Sequence, residues 1–217
     1  PQFLLEFGFG TQESLNPGLI CMSQPRRLAA ITVAKRIRKE INCDKLVGFR
    51  TRFLSDVSAS NRLIVQTEGI FLREIKTDPL LLKYSVIVLD EVHERTVNMD
   101  LLLCLIPKIA KVRNSSESLH PLRICLMTAT PQASMLKYLS SFFDEGSIGY
   151  IEALAPNHEV SIHYSKSVPE NYIESAKKKI IRIIRQLPPG RILAFLPSKY
   201  DIHFLESELK NVLKTPI

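Results

Sequence analysis

Short apolar runs and amphipathic stretches alternate along the chain, which is the pattern of a fold in which strands and helices follow one another. Four short runs of mainly apolar residues predict buried strands, at 19–22, 63–66, 85–89 and 123–127. The stretches between them carry apolar residues every three or four positions and predict helices at 27–41, 69–75 and 98–112. The chain therefore predicts an α/β fold with a parallel sheet flanked by helices.

Single residues predict where some of these helices begin or break. Asn98 is a residue type that caps a helix N-terminus, so we expect the third helix to begin there. Pro107 should kink that helix or split it, because proline lacks the backbone N–H that the helix needs. Pro131 is expected to open the next helix.

The pattern changes from Gly149 onwards, and Ala155-Pro156-Asn157 is typical of a linker or a turn. We place a domain boundary there, so that residues 1–154 form one domain and residues 155–217 begin a second. In the second part we expect strands at 160–164 and 191–196, and helices at 169–187 and 200–213.

Composition narrows the class of protein only slightly. The chain has 217 residues, a net charge of +7 and a pI near 9.3, which favours polyanionic partners but also fits simple solubility. No apolar run is long enough to cross a membrane. Pro1 is preceded by no Met and followed by no basic segment, so we expect a chain that begins within a domain rather than with a signal peptide. Cys21, Cys104 and Cys125 lie in apolar runs and predict reduced core thiols, as in an intracellular protein.

The sequence Asp90-Glu91-Val92-His93-Glu94-Arg95 directly follows the most apolar predicted strand. A buried parallel strand delivers its last residues to the sheet edge where α/β proteins bind ligands. There Asp90 can hold Mg²⁺ through its water shell, and Glu91 can orient and deprotonate an attacking water. His93 can sense a γ-phosphate or a moving partner domain. The alternative is an acidic turn in which a carboxylate only caps a helix.

The ends of the other predicted strands carry residues suited to phosphate. Arg26 and Arg27 open a helix, where free N–H groups and the helix dipole favour anions. Thr67 and Gly69 can approach a nucleic-acid backbone without steric bulk, and Thr128 and Thr130 offer hydroxyls beside the acidic residues. For each of these segments the alternative is a simple helix start or cap.

In this order, these segments resemble the motifs of DEAH-type RNA helicases of superfamily 2. The acidic sequence resembles motif II, with Val92 in place of the usual alanine. The segments beginning at Ser23, Thr67 and Thr128 resemble motifs Ia, Ib and III, and Glu68 stands where the family usually has aspartate. Residues 192–198 resemble motif IV, but Pro197-Ser198-Lys199-Tyr200-Asp201 departs from the usual TGQEE, which puts RNA contacts of this loop in doubt.

The resemblance implies two RecA-like domains. Residues 1–154 would form most of domain 1, which lacks its P-loop here, and residues 155–217 would form the start of domain 2. It implies roles for individual residues as well. Catalysis would fall to Glu91, Asp90 and His93, with Mg²⁺ held through water by Asp90 and Glu91. The nucleotide would contact Arg36, Asp90, Glu91, Glu94 and Arg95. Thr128, Ala129 and Thr130 would couple the nucleotide state to RNA binding. RNA would contact Pro25, Arg26, Arg27, Thr67, Gly69, Arg73, Ser198 and Lys199.

The resemblance further implies an enzyme that hydrolyses ATP or another NTP, with Mg²⁺, and remodels RNA or ribonucleoprotein. No GxxxxGK[ST] P-loop occurs in the chain, so residues 1–217 alone are expected to be inactive. Finer similarities favour the branch that acts in small-subunit ribosome biogenesis and rRNA processing. They imply pre-rRNA or snoRNA as partners, a G-patch-type activator, no membrane, and a nuclear, nucleolar location. A spliceosomal DEAH helicase, a non-catalytic helicase-like scaffold of a ribonucleoprotein and another helicase of the superfamily remain alternatives.

Overall fold

A computed structural model describes residues 1–11, 17–130, 133–144, 146–153 and 158–213. The chain divides into two compact units, Pro1–Glu152 and Ala153–Ile217, which we call unit 1 and unit 2. The predicted boundary between residues 154 and 155 lies outside the described residues, as do the predicted linker at 155–157 and Pro131. The assignment of RecA-like domains to the two parts of the chain stays a prediction.

Unit 1 is built on a six-stranded sheet. Its strands are β1 (Leu19–Gln24), β2 (Val47–Arg50), β3 (Ser55–Asp56), β4 (Leu63–Thr67), β5 (Tyr84–Leu89) and β6 (Arg123–Leu126). They lie in the order β3-β2-β4-β1-β5-β6, and all neighbours pair in parallel except β2 with β3. The predicted α/β fold is confirmed, with a sheet that is mixed at one edge.

The helices of unit 1 are α1 (Gln2–Glu6), α2 (Arg27–Glu40), α3 (Glu68–Thr77), α4 (Val97–Asn114) and α5 (Ala133–Ser140). They cover both faces of the sheet. Ala30, Ala34 and Ile37 of α2 pack on one face, while α3 and α4 pack on the other. Because both faces are covered, the central strands are apolar almost throughout, and that made them visible in the sequence.

The predicted strands and helices of unit 1 are confirmed to within a few residues, but β2 and β3 were not predicted. Val47–Arg50 contains one glycine and one arginine in four residues, so it lacks the apolar run on which strand prediction depends. It pairs with β4 all the same.

The expected start of α4 is wrong, and of the two effects expected of Pro107, a kink or a split, the split does not occur. Thr96, not Asn98, caps the helix, because its Oγ1 accepts a hydrogen bond from the backbone N–H of Met99 at 3.0 Å. Pro107 lies inside a helix that is not split. Leu103, Ile106 and Ile109 are buried on the same helix, and this packing offsets the hydrogen bond that proline cannot donate.

A buried carboxylate, Glu74 on α3, lies at the centre of a polar network beneath the sheet. Its Oε2 accepts hydrogen bonds from Gln66 Nε2 and Tyr84 Oη, each at 2.7 Å. Its Oε1 accepts from Arg50 Nη1 at 3.1 Å and from Lys83 Nζ. Burial by itself would raise the pKa of the Glu74 carboxyl, but the hydrogen bonds outweigh burial and hold the pKa below its ordinary value.

A buried guanidinium, Arg113 at the end of α4, is satisfied by backbone carbonyls. It donates to Leu81 at 2.7 Å, to Tyr84 at 2.8 Å and to His120 at 2.7 and 2.9 Å. These bonds tie α4 to the loops before β5 and before β6. Sequence reasoning missed both Arg113 and Glu74, because nothing in the local pattern marks a charge as buried.

The cysteines are free thiols. Cys21 is buried and Cys125 is half-buried, but Cys104 is exposed on α4, so its predicted place in the core is wrong. An apolar run within a helix contains residues of both faces, and Cys104 lies on the outer one. Among the helices that the structure describes, none is both long enough and apolar enough to span a bilayer.

Unit 2 contains the helices α6 (Tyr172–Gln186) and α7 (Lys199–Leu213), close to the predicted ranges. Lys177 Nζ lies 2.7 Å from Glu208 Oε2, and Tyr172 Oη donates to Asp201 Oδ2 at 3.1 Å, which joins the two helices. The strands predicted at 160–164 and 191–196 do not form, and these predictions are wrong. A strand requires a neighbour for its backbone bonds, and the described part of unit 2 contains no strand with which they could pair.

We predict that Glu74→Ala lowers the free energy of unfolding by about 2–3 kcal/mol, because Gln66 and Tyr84 are left buried without their acceptor. Thermal or urea unfolding monitored by circular dichroism measures this. The matched control is Glu117→Ala at an exposed position, which should change stability by less than about 0.5 kcal/mol. Equal effects of the two variants would contradict the role of the network.

The same carboxylate predicts a pH dependence. Because the folded-state pKa of Glu74 is lowered, its stabilising effect is present above the ordinary glutamate pKa of 4.5 and is lost as the pH falls through the folded-state pKa. The difference in unfolding free energy between wild type and Glu74→Gln should therefore be largest near neutral pH and shrink below pH 4.5. Urea unfolding between pH 3 and pH 7 measures it, and a constant difference would refute the assignment.

Candidate functional site

The carboxyl ends of β1, β4, β5 and β6 meet at one edge of the sheet. Gln24 lies beside Thr67 in the pairing of β1 with β4, and Leu89 lies beside Ser23 on one side and Leu126 on the other. The residues that follow these strands are therefore neighbours. This edge collects the four segments that the sequence had marked as candidates for phosphate chemistry.

Asp90–Arg95 forms a tight turn at this edge, which we call the acidic turn. Glu91 and Arg95 adopt left-handed backbone conformations, with φ of 57° and 48°, on either side of a short 3₁₀ segment, Val92–Glu94. Non-glycine residues adopt this conformation at a cost, which the surrounding structure must outweigh. Val92 contributes, because its side chain is fully buried and its N–H donates to the carbonyl of Met127 at 3.1 Å.

The Asp90 carboxylate is oriented by donors on both oxygens. The Glu91 N–H donates to Oδ1 at 2.9 Å, and Gln24 Nε2 donates to Oδ2 at 2.5 Å. Gln24 is 2% exposed and ends β1, directly beside Asp90. Sequence reasoning did not assign Gln24 a role. Its position just before Pro25 and Arg26, at a strand end, was the signal that could have found it.

Glu91, His93 and Thr128 lie together, and the catalytic and coupling roles predicted for them stay predictions. His93 Nδ1 lies 3.5 Å from Glu91 Oε2 and 3.1 Å from Thr128 Oγ1, so the histidine joins the acidic turn to the segment after β6. Thr128 Oγ1 also accepts a hydrogen bond from the Thr130 N–H at 3.3 Å. Ala129 lies between the two threonines in this segment.

The two predicted Mg²⁺ residues, Asp90 and Glu91, are adjacent and partly exposed. No group of three or more histidine, cysteine, aspartate or glutamate side chains suited to a metal occurs among the described residues. Mg²⁺ commonly binds proteins through one or two carboxylates and completes its shell with water and substrate phosphates. The pair therefore fits Mg²⁺ held chiefly by water and phosphate, and it does not form a closed protein cage.

The predicted nucleotide-binding arginines make other contacts. Arg95 forms two hydrogen bonds with Asp100, at 2.7 and 3.1 Å, and lies 4.0 Å from the centre of the Tyr138 ring. Arg36 is exposed on α2 and pairs with Glu40 at 2.7 Å. Their contacts with a nucleotide stay predictions, as does that of Glu94.

The predicted RNA-binding residues of unit 1 lie at two helix starts. Arg26 is exposed and pairs with Glu94 Oε1 at 3.2 Å, while Arg27 lies 5.4 Å from the centre of the Phe53 ring. Pro25 precedes them. Thr67 occupies the N-cap position of α3 without a side-chain capping bond, so its hydroxyl does not serve the helix. Gly69 and the exposed Arg73 follow on α3.

The other two predicted RNA-binding residues, Ser198 and Lys199, belong to unit 2. Ser198 Oγ donates to Asp201 Oδ2 at 2.8 Å and accepts from the Asp201 N–H at 3.1 Å. Ser198 therefore caps α7, and that structural role accounts for the residue without RNA. Lys199 is exposed at the first position of the helix.

The chain is similar in sequence to ATP-dependent RNA helicases of several organisms. No protein-family model matches the chain. It is 34% identical over 235 residues to the ATP-dependent RNA helicase DEAH13 of Arabidopsis thaliana, covering 99% of the chain and 19% of that protein. It is 34% identical over 213 residues to the probable ATP-dependent RNA helicase DHX37 of Homo sapiens, covering 97% of the chain and 18% of that protein.

A Schizosaccharomyces pombe protein, whose name includes pre-mRNA-splicing factor ATP-dependent RNA helicase, is 35% identical over 215 residues, with 98% of the chain and 31% of that protein covered. The chain thus spans less than a third of the length of these relatives. Among solved structures, the DEAH/RHA helicase HrpB of Escherichia coli matches with a TM-score of 0.66 and 28% identity. The match covers 90% of the chain and 24% of HrpB.

Proposed function

We propose that this chain belongs to the DEAH/RHA family of ATP-dependent RNA helicases and is the segment of such a helicase that contacts nucleotide and RNA. Its similarity to the relatives named above and its likeness to HrpB support this proposal. The observation that carries the proposal is the arrangement around His93. One ring nitrogen of the histidine, Nδ1, lies 3.5 Å from Glu91 Oε2 and 3.1 Å from Thr128 Oγ1, at the edge where Gln24 holds Asp90.

In this proposal Glu91 orients the attacking water and accepts its proton, which is the task of a general base in NTP hydrolysis. Asp90 would hold Mg²⁺ through water, and the ion, when bound, neutralises charge on the phosphates. Gln24 keeps the Asp90 carboxylate in one orientation. His93 and Thr128 connect this turn to the segment after β6, so that the hydrolytic residues move together with that segment.

RNA would be held at the start of α2, just after β1, and at the β4–α3 junction, where Thr67 ends the strand and Glu68 begins the helix. Arg26 and Arg27 lie at the start of α2, where free N–H groups, the helix dipole and guanidinium groups all favour phosphate. Thr67 has a hydroxyl that is not used in capping. Contacts of this kind go to the phosphate backbone and therefore support binding without reading base sequence.

The chain has no P-loop, so residues 1–217 alone should not hydrolyse NTP, because the γ-phosphate would lack the lysine and backbone amides that stabilise its charge.

The specific process we propose is small-subunit ribosome biogenesis in the nucleolus, with pre-rRNA or snoRNA as substrate and a G-patch-type activator. Its support is the similarity of the segments before motif II and around residues 158–164 and 187–190 to that branch of the family. Pre-mRNA splicing is the second candidate, because a relative named for splicing is as similar to the chain as the others.

Glu91→Gln in the intact protein should reduce NTP hydrolysis at least about a hundredfold while nucleotide affinity stays within about threefold, since the amide cannot accept the proton. Steady-state hydrolysis and fluorescent-nucleotide binding measure the two effects. Glu117→Gln, at an exposed position on the same unit, is the control and should behave as wild type. Undiminished turnover in Glu91→Gln would rule out the role assigned to Glu91. A wild-type protein that binds RNA without any hydrolysis would favour a non-catalytic scaffold.

The double change Arg26→Ala and Arg27→Ala should weaken binding of single-stranded RNA roughly tenfold at low salt and reduce the slope of log K against log salt by about 1–2, because two phosphate contacts are lost. Fluorescence anisotropy over a salt series measures it. The matched control removes two exposed lysines of the same helix, Lys35→Ala and Lys39→Ala, with the same change in net charge. Equal losses in both doubles would show that only net charge matters.

A further inference from the structure

Glu68 is a buried carboxylate to which the proposed mechanism assigns no task. It is the first residue of α3, directly after Thr67 at the end of β4, and it is 3% exposed. A buried carboxylate destabilises a protein unless its oxygens are paired. Its presence at the β4–α3 junction, which is proposed to hold RNA, therefore requires an explanation.

Glu68 contacts the residue that joins the acidic turn to α4. Its Oε2 accepts a hydrogen bond from Thr96 Oγ1 at 2.5 Å, and the same hydroxyl accepts from the Met99 N–H. Its Oε1 has no hydrogen-bond partner among the described residues. Burial raises the pKa of the Glu68 carboxyl, the bond from Thr96 opposes this, and the nearby charge of Glu94 adds to the rise. The carboxylate is thus only partly paired.

The contact joins two segments with different proposed tasks. Thr67 and Gly69, on either side of Glu68, are the proposed RNA contacts at the β4–α3 junction. Thr96 directly follows Arg95, the left-handed residue that ends the acidic turn, and the turn carries Glu91. A turn bounded by two left-handed residues depends on its neighbours for its conformation, so a displacement of Thr96 bears directly on it.

We propose that the hydrogen bond between Glu68 and Thr96 couples RNA binding at the β4–α3 junction to the position of the acidic turn. The inference rests on the proposed function. A shift of this junction must either move Thr96 with it or break the bond, and breaking it would leave both oxygens of the Glu68 carboxylate without a hydrogen-bond partner. Glu68 is in this sense a positioning residue, which touches neither RNA nor nucleotide.

Because one oxygen of Glu68 has no hydrogen-bond partner, a substitution at this position can test whether the residue serves coupling or only stability. Methionine has a similar length and no polar atom to bury, so Glu68→Met removes an unpaired buried oxygen. Its melting temperature should equal or exceed that of wild type. If Glu68 were retained for folding, the melting temperature of Glu68→Met would fall below that of wild type. A residue retained at a cost to stability is expected to serve activity instead.

The experiment measures NTP hydrolysis by the intact protein with and without saturating single-stranded RNA, together with melting temperature. Glu68→Met, Thr96→Val and the double variant are compared with Thr96→Ser, which keeps both the hydroxyl and the helix cap. We expect the stimulation by RNA to fall roughly five- to tenfold in each single variant. The double variant should fall no further than either single one, since both remove the same contact. Thr96→Ser should retain most of the stimulation.

Three outcomes would overturn the inference: unchanged stimulation in Glu68→Met, additive losses in the double variant, or a melting temperature of Glu68→Met well below wild type. The last would show that the carboxylate serves folding. Failure of the proposed function looks different, because the wild-type protein itself would then hydrolyse no NTP whether or not RNA is present.

Discussion

The parallel pairing of β5 with β1 on one side and β6 on the other determines the arrangement of the candidate site. Parallel strands end at the same edge, so Gln24, Asp90 and the segment at Thr128 become neighbours although they are widely separated in sequence. The pairing itself depends on burial of both sheet faces, since α2 covers one and α3 and α4 cover the other. The contacts of the acidic turn with Gln24 and with Thr128 follow from this arrangement.

The acidic turn shows how such an edge supports an unfavourable local conformation. Glu91 and Arg95 are left-handed without being glycine, which costs on the order of 1–2 kcal/mol each. Val92 is buried beneath the turn. The polar side chains of the turn are held by hydrogen bonds from neighbouring segments: Asp90 by Gln24, Glu94 by Arg26 and His93 by Thr128. The cost lies where the proposed chemistry needs carboxylates in a defined direction, and the core of the sheet supplies the compensating stability.

The buried charged residues differ in how completely their polar atoms are hydrogen-bonded. Glu74 and Arg113 have their polar atoms satisfied, Glu74 by four side chains and Arg113 by backbone carbonyls, and both join elements of the core. Glu68 is different, because one of its oxygens is buried without a partner. Full pairing is what a structural charge requires, and incomplete pairing beside the acidic turn is the reason that we assign Glu68 to coupling.

The sequence alone determined the α/β class, the central strands and the main helices, because burial on both faces leaves long apolar runs and amphipathic helices leave a period that can be read locally. It also identified the strand-end residues, since Asp90 and Glu91 directly follow an apolar strand. Tertiary structure decided what depends on neighbours distant in sequence. It determined that Val47–Arg50 pairs as a strand while 160–164 and 191–196 do not, since a strand exists only with a partner. It placed Gln24 against Asp90 and Glu68 against Thr96, because hydrogen bonds between side chains far apart in sequence depend on distances in space that no local pattern encodes.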